Sequence, residues 1–109
     1  MKQIDKLAWI ELQEQAILMA RSYGKELFYI PGGKREAGES DAQALLREVE
    51  EELSVVLDEA TLGYVGTFEA QAHGHPEGVT VRMTCYTGSY SGQLRTSSEI
   101  ERIEWYTYG

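Results

Sequence analysis

The sequence predicts a mixed α/β fold of the α+β kind, mostly strand with one helix, and three observations carry that prediction. Val79, Val81, Met83 and Cys85 alternate with Thr80, Arg82, Thr84 and Tyr86, the period of a half-buried strand. In DAQALLREVEEEL, residues 41–53, Ala42, Leu45, Leu46, Val49 and Leu53 recur at spacings of three and four, which gives one apolar stripe on a helix. Short apolar runs bounded by Gly, Pro and polar residues lie on both sides of that helix and read as further strands.

Taken in chain order, KLAWIEL and AILMARS are expected as two adjacent strands joined by the polar QEQ. ELFYIPGG is expected to end a third strand, because Pro31 cannot donate to a ladder and Gly32 and Gly33 free the backbone to turn. The helix should begin at Ser40, a good N-cap with Gln43 three residues on to complete a capping box, and Glu39 and Asp41 sit at the positive end of its dipole. TLGYVGTFEA, GVTVRMTCYTGSY and IERIEWYTY are the later strands.

Composition bounds the function. A chain of 109 residues that is 42% hydrophobic suits one domain over residues 1–109, able to bury a core without staples. A net charge of −8 argues against nucleic acid or an anionic membrane as partner and makes a cation the natural companion. Cys85, the single cysteine, cannot form an internal disulfide and is expected buried in its strand. No signal-peptide pattern and no run of membrane-spanning length is seen, so the default expectation is a cytoplasmic protein.

On the helix, Glu48, Glu51 and Glu52 are related by three and four residues, which sets three carboxylates on neighbouring turns of one side, while Glu50 points elsewhere. Such neighbours repel by a few tenths of a kcal/mol per pair in water, roughly. Two readings follow: a solvated acidic face partly neutralised by Arg47, or a set of hard oxygen ligands of the kind Mg²⁺ or Mn²⁺ takes. An EF-hand loop is disfavoured, since no D-x-D-x-D-G pattern exists.

Residues 33–55, GKREAGESDAQALLREVEEELSV, resemble the signature box of the Nudix hydrolases: Gly, five residues, Glu, seven residues, Arg-Glu, an apolar residue, any residue, Glu-Glu, any residue, Gly, an apolar residue. Gly33, Glu39, Arg47, Glu48, Val49, Glu51, Glu52 and Val55 fall in register, and Ser54 stands where the family has Gly. The Pro31, Gly32, Gly33 lead-in is typical of the family too. The resemblance implies an α/β/α sandwich around a mixed sheet and a metal-dependent hydrolase of a nucleoside diphosphate linked to another group. It implies that Glu48, Glu51 and Glu52, with the backbone carbonyl of Gly32, ligate Mg²⁺, with Mn²⁺ as an alternative. Arg47 would hold the glutamates through a salt bridge and Glu39 would support the site from the helix start. For the general base, Glu99 in RTSSEIERIEW matches the loop position that supplies it in MutT-like members, and Glu52 is the competing choice.

Other residues read less specifically. His73, His75 and Glu77 lie in a loop flanked by Gly and Pro, where solvent exposure is the simpler reading of the histidines and Glu77 could contact substrate. Trp9, Phe28 and Tyr29 are expected in core packing, with stacking on a nucleobase as the alternative for one of them. Ser54 is expected at a left-handed helix-ending position, where it costs roughly 1 kcal/mol against glycine. The chain stops at WYTYG, where most of the family continues into a further helix, so that helix is expected to be missing. Neither the proline of the ADP-ribose subgroup nor the tyrosine of the dinucleoside polyphosphate subgroup falls in EAQAH, which leaves a nucleoside triphosphate, normal or oxidised, as the default substrate. A nucleotide sugar or other diphosphate is one alternative, and a binding module of the same fold without catalysis is another. Monomer and homodimer stay equally open.

Overall fold

A computed structural model of the chain describes residues 2–71 and 78–107. The strands are β1 (Lys2–Trp9), β2 (Leu12–Gln13), β3 (Ala16–Ser22), β4 (Gly32–Lys34), β5 (Val56–Leu57), β6 (Gly63–Gln71), β7 (Val79–Thr87), β8 (Tyr90–Ser91) and β9 (Ile100–Thr107). A single helix, α1 (Asp41–Leu53), and a 3₁₀ turn at Glu59–Thr61 complete the described elements. A mixed sheet runs β4-β1-β7-β6, with β1 parallel to β7 and the other two pairings antiparallel. A second, antiparallel sheet runs β2-β3-β9, and β5 pairs with β8. The expected α+β class with a mixed sheet is therefore what the chain forms.

Two strand expectations need correction. β1 and β3 are not neighbours: β1 pairs with β4 and β7, and β3 with β2 and β9. The short β2 folds back on β3 through Glu14 and Gln15, both at positive φ, and carries the chain from one sheet to the other. Nor is ELFYI a strand, for it touches β3 only through an isolated bridge between Ala20 and Tyr29. The ladder forms instead within the glycine-rich stretch, where Gly32 and Gly33 pair with Ala8 and Leu7. Gly32 sits at φ +147°, and a Cβ there would stand 2.0 Å from the Leu7 carbonyl oxygen, so glycine is what lets β4 lie this close to β1.

The helix is capped as expected. Ser40 Oγ accepts the Gln43 N–H at 3.1 Å and Gln43 Oε1 accepts the Ser40 N–H at 2.9 Å. At the other end Ser54 adopts φ 63°, ψ 24°, the left-handed closing residue. Leu45, Val49 and Leu53 are fully buried and pack with Leu7 and Trp9 of β1, Leu18 of β3 and Leu57 of β5. Each such side chain contributes about 1.5–3 kcal/mol by leaving water. Ala44 rather than Ala42 completes the buried stripe, Ala42 being half-buried in the first turn. Trp9 is a core residue, its indole N–H donating to the Gly88 carbonyl at 3.2 Å. Cys85 is buried and free, and burial pushes its thiol pKa up. Among the described residues no helix is long and apolar enough to cross a membrane.

Candidate functional site

The site grows from the packing of α1 on the glycine-rich strand. Gly33 pairs with Leu7, whose side of the sheet carries the helix, and a Cβ on Gly33 would fall 1.6 Å from Glu48 Oε1. The glycine therefore makes the cradle in which the Glu48 carboxylate rests. One turn on, Glu52 lies over Gly32, whose N–H donates to Glu52 Oε1 at 3.3 Å. The loop thus meets the helix through the Gly32 amide as well as through the bare face of Gly33.

The three glutamates share a side of the helix but not an environment. Glu52 is only 4% exposed, Glu48 is half-buried and Glu51 stands in solvent. Burial pushes the Glu52 pKa up to about 8, and the negative charges of Glu48 and Glu99 add to the shift, while the Gly32 N–H and Lys6 oppose it. Burial also raises Glu48, against the pull of Arg47. Glu50 is exposed and takes no part.

Arg47 organises the rest. Its guanidinium grips Glu39 with two bonds, Nε to Oε2 at 2.8 Å and Nη2 to Oε1 at 2.9 Å, the bidentate geometry that suits arginine. It also donates to the Lys34 carbonyl at 3.1 Å, to Glu48 Oε2 at 2.8 Å and to Glu51 Oε2 at 3.5 Å. This clamp holds the Glu39 pKa down to about 2. A second arginine, Arg35, ties the loop to Asp5 of β1 at 3.0 Å and to Asp41 of the first helical turn at 2.5 Å. Tyr86 donates to the other Asp41 oxygen at 2.6 Å, so the helix start is fixed from β7 as well.

As the side chains stand, Glu48 and Glu51 turn oxygens to Arg47 and Glu52 turns one to Gly32, and no three such groups among the described residues already surround a metal position. The donor set nevertheless fits a hard divalent cation. It consists of carboxylate oxygens beside the Gly32 backbone, and among the described residues Glu52 is buried with a single long hydrogen bond and like charges around it, a state that a bound cation would relieve.

Glu99 belongs to the same face. It is exposed, and its charge acts on Glu48, Glu52 and Tyr29. Tyr29 departs from the core expectation: it is half-buried, bonded to Ser22 Oγ at 2.5 Å, with its pKa raised by burial and then by these carboxylates. Phe28 is likewise half-buried and packs on Tyr106 beneath Arg21, on the wall of a shallow cleft of about 460 Å³. No residue of the carboxylate face lines that cleft, and its two arginines are ion-paired to Glu101 and Glu104. His73, His75 and Glu77 lie outside the described residues.

A family model described as NUDIX domain matches residues 2–109, and the chain belongs to that family. An uncharacterized Nudix hydrolase of Bacillus subtilis (strain 168), YvcI, is 28% identical over 93 residues, 85% of this chain and 59% of that protein. The chain therefore spans about three-fifths of that relative's length. The solution structure of the E. coli ORF135 protein is 28% identical with a TM-score of 0.76, covering 98% of this chain and 75% of that one. The crystal structure of a MutT NUDIX hydrolase from Burkholderia pseudomallei superposes with a TM-score of 0.83 at 19% identity, over 98% of this chain and 84% of that one, a likeness of fold alone. Members of the family generally use divalent metal ions.

Proposed function

We propose that this domain hydrolyses the phosphoanhydride of a nucleoside diphosphate linked to a further group, most simply a nucleoside triphosphate to monophosphate and pyrophosphate. The observation that carries the reading is the Glu52 carboxylate, buried above the glycine-rich strand and flanked by Glu48 and Glu99 on a side ordered by Arg47. Glu48, Glu51 and Glu52, with the Gly32 backbone, would hold a divalent ion, Mg²⁺ or Mn²⁺. When bound it would offset charge on the phosphates and lower the pKa of an attacking water.

The chain's own residues supply the remaining steps. Arg47 and Glu39 hold the loop against the helix, so that the carboxylates keep one spacing while substrate comes and goes. Glu99, on a loop opposite the helix face, accepts the proton of the attacking water, and Glu52 is the competing acceptor. Without a cation, burial holds the Glu52 pKa up at about 8, and a bound cation would favour the carboxylate form that ligation and proton acceptance both need. The small-molecule substrate would approach over an exposed acidic rim, which favours delivery of the phosphates with their counter-cation.

The test is release of pyrophosphate or phosphate from nucleoside triphosphates, nucleoside diphosphate sugars, ADP-ribose and dinucleoside polyphosphates, with Mg²⁺, Mn²⁺ or EDTA. Turnover of the triphosphates that EDTA abolishes is the expected result. Silence across the panel would leave a binding module of this fold as the better reading.

A further inference from the structure

Helix α1 ends in carbonyl groups that no residue within the helix can satisfy, and water could serve them at an exposed end. Here a distant segment serves them instead. The Arg95 N–H donates to the Leu53 carbonyl at 2.9 Å and the Ser97 N–H to the Glu52 carbonyl at 3.0 Å. The Ser97 hydroxyl donates to the Glu51 carbonyl, and Ser54 Oγ donates to Ser97 Oγ at 3.4 Å. The hydroxyls thus form a directed chain from Ser54 through Ser97 to the backbone of a carboxylate-bearing residue.

Beyond Ser97 the backbone turns sharply. Ser98 is at φ 56°, the Ile100 N–H returns to the Ser97 carbonyl at 3.1 Å, and Ile100 is buried. The Glu99 carbonyl accepts the Tyr23 N–H at 2.9 Å, just past the end of β3. Glu99 is therefore suspended between two anchors, one on the helix that carries Glu48, Glu51 and Glu52 and one on the second sheet. Water could satisfy the same carbonyls, so what the latch specifically adds is the position of the loop.

We infer that Ser97 is a positioning residue for Glu99: its amide and hydroxyl lock the Glu99 loop onto the last turn of the carboxylate helix and so set where the Glu99 carboxylate stands. The inference rests on the reading of Glu99 as the proton acceptor. It also gives Ser54, which departs from the family's glycine, a place as the outer member of the latch.

Turnover of dGTP with Mg²⁺ would be measured for the wild type, Ser97→Ala, Ser97→Thr, Glu99→Gln and the Ser97→Ala/Glu99→Gln pair. Ser97→Ala should lower kcat by about 10- to 100-fold while KM moves less than about threefold, the pattern of a misplaced catalytic group. Ser97→Thr, which keeps the hydroxyl, should restore most of the loss. The double variant should be no slower than Glu99→Gln, because Ser97 acts through Glu99. Wild-type kcat in Ser97→Ala beside an impaired Glu99→Gln, or losses that multiply in the pair, would overturn the positioning role and leave Glu99 in place. Wild-type kcat in Glu99→Gln would remove Glu99 as acceptor, and the inference with it. Amide hydrogen exchange reads the latch without turnover: Ser97→Ala should speed exchange at residues 97–100 and leave β1 unchanged, and unaltered exchange at 97–100 would remove the Ser97 hydroxyl from the latch and overturn its positioning role.

Discussion

Glu52 combines burial, like-charged neighbours and one long hydrogen bond, so its ionised form is costly, and the cost depends on pH. Its pKa rises from 4.5 to about 8 on folding. Below 4.5 both folded and unfolded chains hold the proton and no penalty exists. Between 4.5 and 8 the unfolded chain releases it while the folded chain keeps it, so stability falls as pH rises, and above 8 the loss levels off. Glu39 works in the opposite sense: held down to about 2 by Arg47, it contributes stability that is lost as pH falls below the ordinary carboxylate range. The difference between Glu52→Gln and wild type isolates the first effect, because Glu39 is common to both. In EDTA the two melting temperatures should coincide near pH 4.5 and diverge up to pH 8, with the variant more stable by an amount on the order of a few kcal/mol at most. A difference that stays flat across that range would show that Glu52 is not under this strain. With metal and substrate present the same variant should keep its fold and lose turnover by about 100-fold or more; turnover at the wild-type level would sink the assignment of the site.

Two adjacent glycines of β4 make different demands, and substitution separates them. At Gly32 a methyl group would meet the Leu7 backbone at 2.0 Å, in a positive-φ conformation, so β1 and β4 would have to part. Gly32→Ala should cost about 2–3 kcal/mol in urea unfolding. At Gly33 the methyl group meets only the end of the Glu48 side chain, which can swing away. Gly33→Ala should therefore change stability little but displace a carboxylate, weakening Mn²⁺ binding by at least about tenfold as judged by titration. Equal stability losses in the two variants would contradict this division of labour between strand pairing and site. The helix end gives a third case. Ser54 holds a left-handed conformation at φ 63°, where glycine is at ease, and Ser54→Gly should raise stability by about 0.5–1 kcal/mol.

What could be read from the chain alone follows the range of the interactions. The helix, its Ser40 cap and its carboxylate side were legible because neighbours three and four residues apart determine them. The neighbour of β1 was not, because β7 lies more than seventy residues away and nothing in KLAWIEL names its partner. The Ser97 latch was hidden for the same reason, spanning 46 residues to Glu51. ELFYI failed differently: its strand-forming residues are spent on a single bridge while two glycines, poor strand formers, take the ladder because they alone fit against β1. At the same scale the molecule carries a net charge of −8, so any salt should ease its self-repulsion, and a specific cation must do more than that. A ligand that binds only the folded state at a hundred times its Kd stabilises by about 2.7 kcal/mol. For a domain of this size that is a rise in Tm of roughly 10–20 °C. Mg²⁺ or Mn²⁺ should approach such a rise in the wild type over NaCl of matched ionic strength, and most of it should vanish in Glu52→Gln. A rise that NaCl reproduces, or that Glu52→Gln retains, would mean that the acidic side screens cations without binding one.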